Sequence, residues 1–93
     1  MTKDRDPDIS ICVITYNAVR TIGRCLESIF DQDYPHGRME VLVIDAGSSD
    51  ETTKVAKEFH GTRLIVEKGA TRGRARNMCI REARAGIVAI TRG

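Results

Sequence analysis

Residues 39–52, MEVLVIDAGSSDET, leave this chain few folds to choose from. Val41 to Ile44 are apolar without a break, three of them β-branched, and Asp45 closes the run. A strand buried on both faces of a parallel sheet needs such a block, because neither face meets water. Gly47, Ser48 and Ser49 then supply a turn, and Ser48 with Glu51 three residues on has the spacing of a capping box for a following helix. Strand, acidic tip, tight turn and helix start together make the place where open α/β sheets bind ligands. An ordinary strand-to-helix junction, in which Asp45 only caps its own turn, fits the same residues.

The flanking chain repeats the alternation. Ile9 to Thr15 (ISICVIT) is a second apolar, β-branched strand closed by Tyr16 and Asn17. A helix is expected next, with Val19, Ile22, Leu26, Ile29 and Phe30 on one face. Gly23 costs it up to about 1 kcal/mol against alanine, so tertiary packing must hold it. Asp31 to Arg38 contains a proline and a glycine and reads as a loop. The helix after Ser49 runs to about Phe59, and His60 and Gly61 end it. A short strand over Arg63 to Glu67 is flanked by charge, as edge strands often are. The basic loop Lys68 to Arg74 leads to a third helix, about Arg74 to Ala85, and Ile87 to Thr91 is a fourth strand. The order βαβαβαβ leaves no room for hairpins and implies a parallel four-stranded sheet with right-handed crossovers, a Rossmann-like α/β fold.

At 93 residues the chain is one domain, expected over 9–93 behind a flexible tail of residues 1–8. Such a chain buries about two-thirds of the surface its unfolded form exposes, enough for one sheet and a few helices. Fifteen basic residues stand against 13 acidic ones, so the molecule as a whole is not a polyanion binder. The balance is local, however. Lys68, Arg72, Arg74, Arg76, Arg81, Arg84 and Arg92 crowd the last third, and such an excess can meet phosphates. Cys12, Cys25 and Cys79 are odd in number, share no metal-ligand spacing and read as reduced hydrophobes, which suits a cytoplasmic chain. No apolar run approaches the ~20 residues of a membrane span, and the first eight residues lack the apolar centre of a signal peptide.

Three strand ends are expected to converge on one edge, carrying Thr15-Tyr16-Asn17, then Asp45 to Ser49, then the basic loop leading to Arg76 and Asn77. A ring that stacks, a carboxylate that accepts from a base or ribose, and guanidinium groups that fork onto phosphate suit a nucleotide. The dinucleotide fingerprint is absent, since TYNAVRTIG stands where its glycines should be, and there is no P-loop. No Ser/His/Asp or Cys/His grouping occurs, and His36 and His60 read as solvated loop residues.

SICVITYNAVRTIGRCLESIFDQ, EVLVIDAGSSDET and GATRGRARNMCIREARAGIVAIT, in that order, resemble the nucleotide-binding half of family 2 glycosyltransferases of the GT-A fold. The resemblance runs from about Ile9 to Thr91. It implies a three-layer α/β/α sandwich with strand order 3-2-1-4, and a UDP or GDP sugar as the bound partner. It lays Tyr16 against the base, makes Asp45 the main polar contact to base and ribose, and sends Arg76 toward base and phosphates. Thr15, Asn17, Gly47 and Ser48 complete the implied nucleotide site, and Asp50 helps to cap its helix. Two departures stand out. Ala46 follows Asp45 where many members carry a second aspartate, and Arg92-Gly93 follows the fourth strand where the family places a D-x-D motif for Mg²⁺ or Mn²⁺.

Three readings follow. The first is the nucleotide-binding half of a sugar transferase, with no catalytic or metal residue of its own and so expected to be inactive alone. The second is a stand-alone or partner-dependent nucleotide-binding module. The third, a nucleic-acid binder, is weak, because only two Tyr and two Phe are available for stacking. An unpaired edge along Val88 and Ile90 adds the expectation of a homodimer.

Overall fold

The computed structural model describes residues 6–32 and 38–93. His36 and most of the loop around it lie outside the described residues. The elements are β1 (Ile9–Thr15), α1 (Ile22–Phe30), β2 (Met39–Asp45), α2 (Thr52–Lys57), β3 (Thr62–Val66), α3 (Arg72–Glu82) and β4 (Ile87–Arg92). All pairings are parallel and the order is β3-β2-β1-β4, the arrangement anticipated above. β2, with its unbroken apolar run, is an inner strand, as double-sided burial requires.

The pleat sorts side chains into two cores. Ile11, Val13, Val41 and Val43 face Ile22, Leu26 and Ile29 of α1 and Ala56 of α2. Cys12, Leu42 and Ile44 face Ala75, Met78 and Cys79 of α3 on the opposite side. Helices on both faces make the three-layer sandwich. Phe30 and Phe59 stack with ring centroids 6.2 Å apart where α1 and α2 end.

Several local expectations change. Helix α1 starts at Ile22, so Val19 lies before it and is exposed instead of buried. The Ser48–Glu51 capping box does not form, because the Ser48 hydroxyl is drawn to Asp45 and the helix starts later, at Thr52. Asp50 takes over part of that role and accepts the Thr52 N–H at 2.9 Å. Cys12 and Cys79 are not a reduced pair: they form a disulfide, with Cα atoms 6.0 Å apart. Sequence spacing could not show this, since 67 residues separate them and only the seating of α3 on the sheet brings them together. Asp8, assigned to the tail, is held to Arg38 by an ion pair and donates its N–H to the Arg38 carbonyl at 2.7 Å.

The end of the sheet where the strands begin is closed by a charge cluster. Glu40, nearly buried, accepts from Ser10 Oγ at 2.7 Å and from the Arg84 N–H at 2.9 Å, and pairs with Arg63 at 3.5 Å. Arg63 also reaches Glu82 at 3.0 Å. Burial alone would raise the Glu40 pKa. The Arg84 N–H, the Ser10 hydroxyl and the Arg84 and Arg63 guanidinium groups outweigh it and hold the carboxyl below its ordinary value.

Candidate functional site

The opposite end, where the strands finish, opens into a cavity of about 650 Å³. Ile14, Thr15 and Tyr16 line it from β1, and Ala46 and Gly47 from the turn after β2. Residues 68–72 close it from the loop after β3, and Arg92 and Gly93 from the end of β4. Sequence reasoning expected three loops to meet here; a fourth strand end joins them.

Main-chain bonds stitch these ends together. Ala46 N donates to the Thr15 carbonyl at 3.0 Å, Glu67 N to Asp45 at 2.8 Å, Gly69 N to Ala46 at 2.9 Å, and Gly93 N to Ile14 at 3.2 Å. Gly47 sits at φ +101°, and a Cβ there would lie 3.1 Å from Lys68 Cα. Only glycine combines that left-handed backbone with so close an approach, and it lets the basic loop reach the cavity.

Asp45 is fully buried. One carboxylate oxygen accepts the N–H groups of Gly47 at 3.0 Å and Ser48 at 2.7 Å, and the other accepts the Ser48 hydroxyl at 2.5 Å. The carboxylate therefore organises its own turn. Asn17, in the left-handed region at φ 47°, binds the same turn. Its side-chain oxygen accepts from Ser49 N and its N–H donates to Ser48 Oγ, both at 2.8 Å. Asparagine tolerates that backbone better than most residues. Asp50 receives Val19 N at 3.3 Å and, most strongly, the Thr52 hydroxyl, which holds its carboxyl below the usual range. These bonds lock the first two loops into one wall.

Of the residues singled out in the sequence, Thr15, Tyr16 and Gly47 line the cavity, whereas Asp45, Asn17 and Ser48 build the wall behind it. Tyr16 is 60 % exposed, a free ring at the mouth. Thr15 Oγ1 is buried and has no hydrogen-bond partner among the described residues. Arg76 does not join them. Thr71, whose side chain accepts from Arg74 N, starts α3 two residues earlier than expected. That places Arg72 at the helix N-terminus beside the cavity and Arg76 one turn further along, exposed and outside the lining. The threonine three residues before Arg74 was the signal that could have shifted the assignment.

The charged side chains of the lining are those of Lys68, Arg72 and Arg92, all cations. Among the described residues no group of three or more His, Cys, Asp or Glu could hold a metal. Mg²⁺ and Mn²⁺ prefer carboxylate and other oxygen ligands, so this lining does not fit a divalent ion and does fit an anion.

The model of glycosyl transferase family 2 matches residues 10–91. The chain belongs to that family. It is 33 % identical over 92 residues to the glycosyltransferase AglE of Haloferax volcanii, covering 94 % of this chain and 30 % of the relative. Among solved structures, a mannosyltransferase from Pyrobaculum calidifontis, in complex with GDP-Man and Mn²⁺, superposes with a TM-score of 0.85 at 33 % identity. That match covers 94 % of this chain and 27 % of the mannosyltransferase. TarS of Staphylococcus aureus gives the same TM-score at 26 % identity, over 91 % of this chain and 27 % of its own. The chain thus spans less than a third of the length of these proteins. No helix among the described residues is long and apolar enough to cross a membrane.

Proposed function

We propose that this chain is the nucleotide-binding half of an enzyme that transfers a sugar from a nucleotide-diphosphate sugar to an acceptor. The observation that carries the reading is the convergence of all four strand ends on one cavity, with a free tyrosine ring at its mouth and only cations among its charged side chains. Strand order reverses direction at β1, since β2 and β3 lie to one side and β4 to the other, and that is where open α/β sheets take ligands. The related mannosyltransferase solved with GDP-Man supports a UDP or GDP sugar as donor.

In this reading Tyr16 stacks on the base and Thr15 supplies a hydroxyl. Gly47 and Ser48 shape the turn against the nucleotide, held by Asp45 and Asn17. Arg76 stands at the periphery, where its guanidinium can meet the donor only beyond the cavity. A divalent ion, Mg²⁺ or Mn²⁺, belongs to the transfer reaction of the whole enzyme as a Lewis acid, and the described residues do not form its site. A cytoplasmic location also belongs to the reading, and the Cys12–Cys79 disulfide is the observation that weighs against it. The reading further includes a homodimer paired along β4, an outer strand whose Ile87 is 64 % exposed.

The test is calorimetric titration of the chain with UDP, GDP, uridine and guanosine. Binding of at least one diphosphate with Kd between about 1 μM and 1 mM is expected, or roughly 4–8 kcal/mol. Affinity weaker than that for all four would refute the reading.

A further inference from the structure

The arginines and lysines of the last third divide into two groups. Arg63 pairs with Glu40 and Glu82, Arg74 with Glu67, Arg81 with Glu82, and Arg84 with Glu40. Lys68, Arg72, Arg76 and Arg92 have no carboxylate partner among the described residues. Three of those four line the cavity. They arrive from separate elements: Lys68 follows β3, Arg72 opens α3, and Arg92 ends β4 opposite Ile14. Like charges gathered from distant parts of a chain repel one another, and a bound anion removes that repulsion. The main-chain N–H groups that open the 11-residue helix α3 begin at the same place and add to the attraction.

We propose that this chain holds the diphosphate of its nucleotide with Lys68, Arg72 and Arg92, and binds it without a divalent ion. The inference rests on the nucleotide reading above and goes further by naming the groups that neutralise the phosphates. Two phosphates carry more charge than one side chain can offset. Two guanidinium forks and an ammonium match that charge and offer donors in the geometry phosphate oxygens accept. Arg92 is the informative member, because it closes the cavity on the β4 side, across from Lys68 and Arg72. Its side chain is exposed, so replacing it leaves both cores untouched.

Titration of the 93-residue chain with UDP and GDP, in EDTA and then in Mn²⁺, decides the matter. The expected result is one affinity within about twofold under both conditions, competition by inorganic pyrophosphate, and no comparable binding of uridine or guanosine. Arg92→Gln should weaken diphosphate binding about tenfold, or ~1.4 kcal/mol, and Arg92→Lys should recover part of the loss. Arg72→Gln serves as an independent second variant, with circular dichroism confirming that each variant is folded. Binding that appears only with Mn²⁺, or that Arg92→Gln and Arg72→Gln leave unchanged, overturns the proposal while the nucleotide site stands. Failure of every nucleotide to bind in either condition overturns both.

Discussion

The two ends of the sheet carry similar residues and put them to opposite use. Where the strands begin, Glu40 gathers Ser10, Arg63 and Arg84, and Glu82 takes the remaining side of Arg63, so each charge meets a partner. Where they finish, the acidic groups Asp45 and Asp50 are consumed in shaping loops, and Lys68, Arg72 and Arg92 are left facing a cavity. Paired charges hold a fold together; unpaired ones concentrated in a concavity await a ligand. The number of arginines alone would not separate these roles. Their partners do.

The largest expected effect lies between the two ends and should spare neither. Replacing Cys12 and Cys79 together by alanine removes a cross-link spanning 67 residues, worth about 4 kcal/mol in the chain-entropy account. Denaturant unfolding of the oxidised chain and the double variant would measure it. Equal stability would show that the cross-link contributes nothing to holding the two ends together.

Glu40→Ala comes next and should act at the closed end only. It leaves the Ser10 hydroxyl proton without its acceptor and removes the carboxylate between Arg63 and Arg84, a loss of about 2 kcal/mol, while nucleotide affinity stays within about twofold. A loss of binding equal to the loss of stability would break the proposed division of labour. Acid should report the same group. The Glu40 pKa is lowered on folding, so its contribution is complete above its ordinary value of 4.5 and disappears as pH falls through the lowered value. Glu40→Gln should flatten that part of a stability–pH curve.

Tyr16→Ala tests the open end from the other side. The ring is mostly solvent-exposed, so stability should change by less than about 0.5 kcal/mol, whereas nucleotide affinity should fall by about 1 kcal/mol or more as stacking is lost. Unchanged affinity would move the base away from Tyr16. The smallest effect expected is self-association along β4. Sedimentation at tens of micromolar should detect a dimer, and Ile87→Lys should reduce it. A clean monomer would leave that edge without a role in this chain.

The sequence by itself determined the architecture. Largely apolar, β-branched-rich runs at Ile9–Thr15 and Val41–Ile44 can satisfy burial on two faces only as inner parallel strands, and the helical stretches between them have nowhere to pack except those faces. It also determined three of the four strand ends that meet at the cavity, because Tyr16, Asp45 and the basic loop stand at the ends of apolar runs. The tertiary structure alone decided what each group does there. Asp45 is spent on its own turn because Gly47 and Ser48 offer it three donors at short range. Arg72 stands at the cavity in place of Arg76 because α3, capped by Thr71, starts at Arg72, and Arg76 lies one helical turn further from the opening. The Cys12–Cys79 bond and the pairing of Arg63 and Arg84 through Glu40 join residues 21 to 67 positions apart. Periodicity reports what neighbours within a few residues share, so contacts of that range become visible only once the sheet has brought the ends of the chain together.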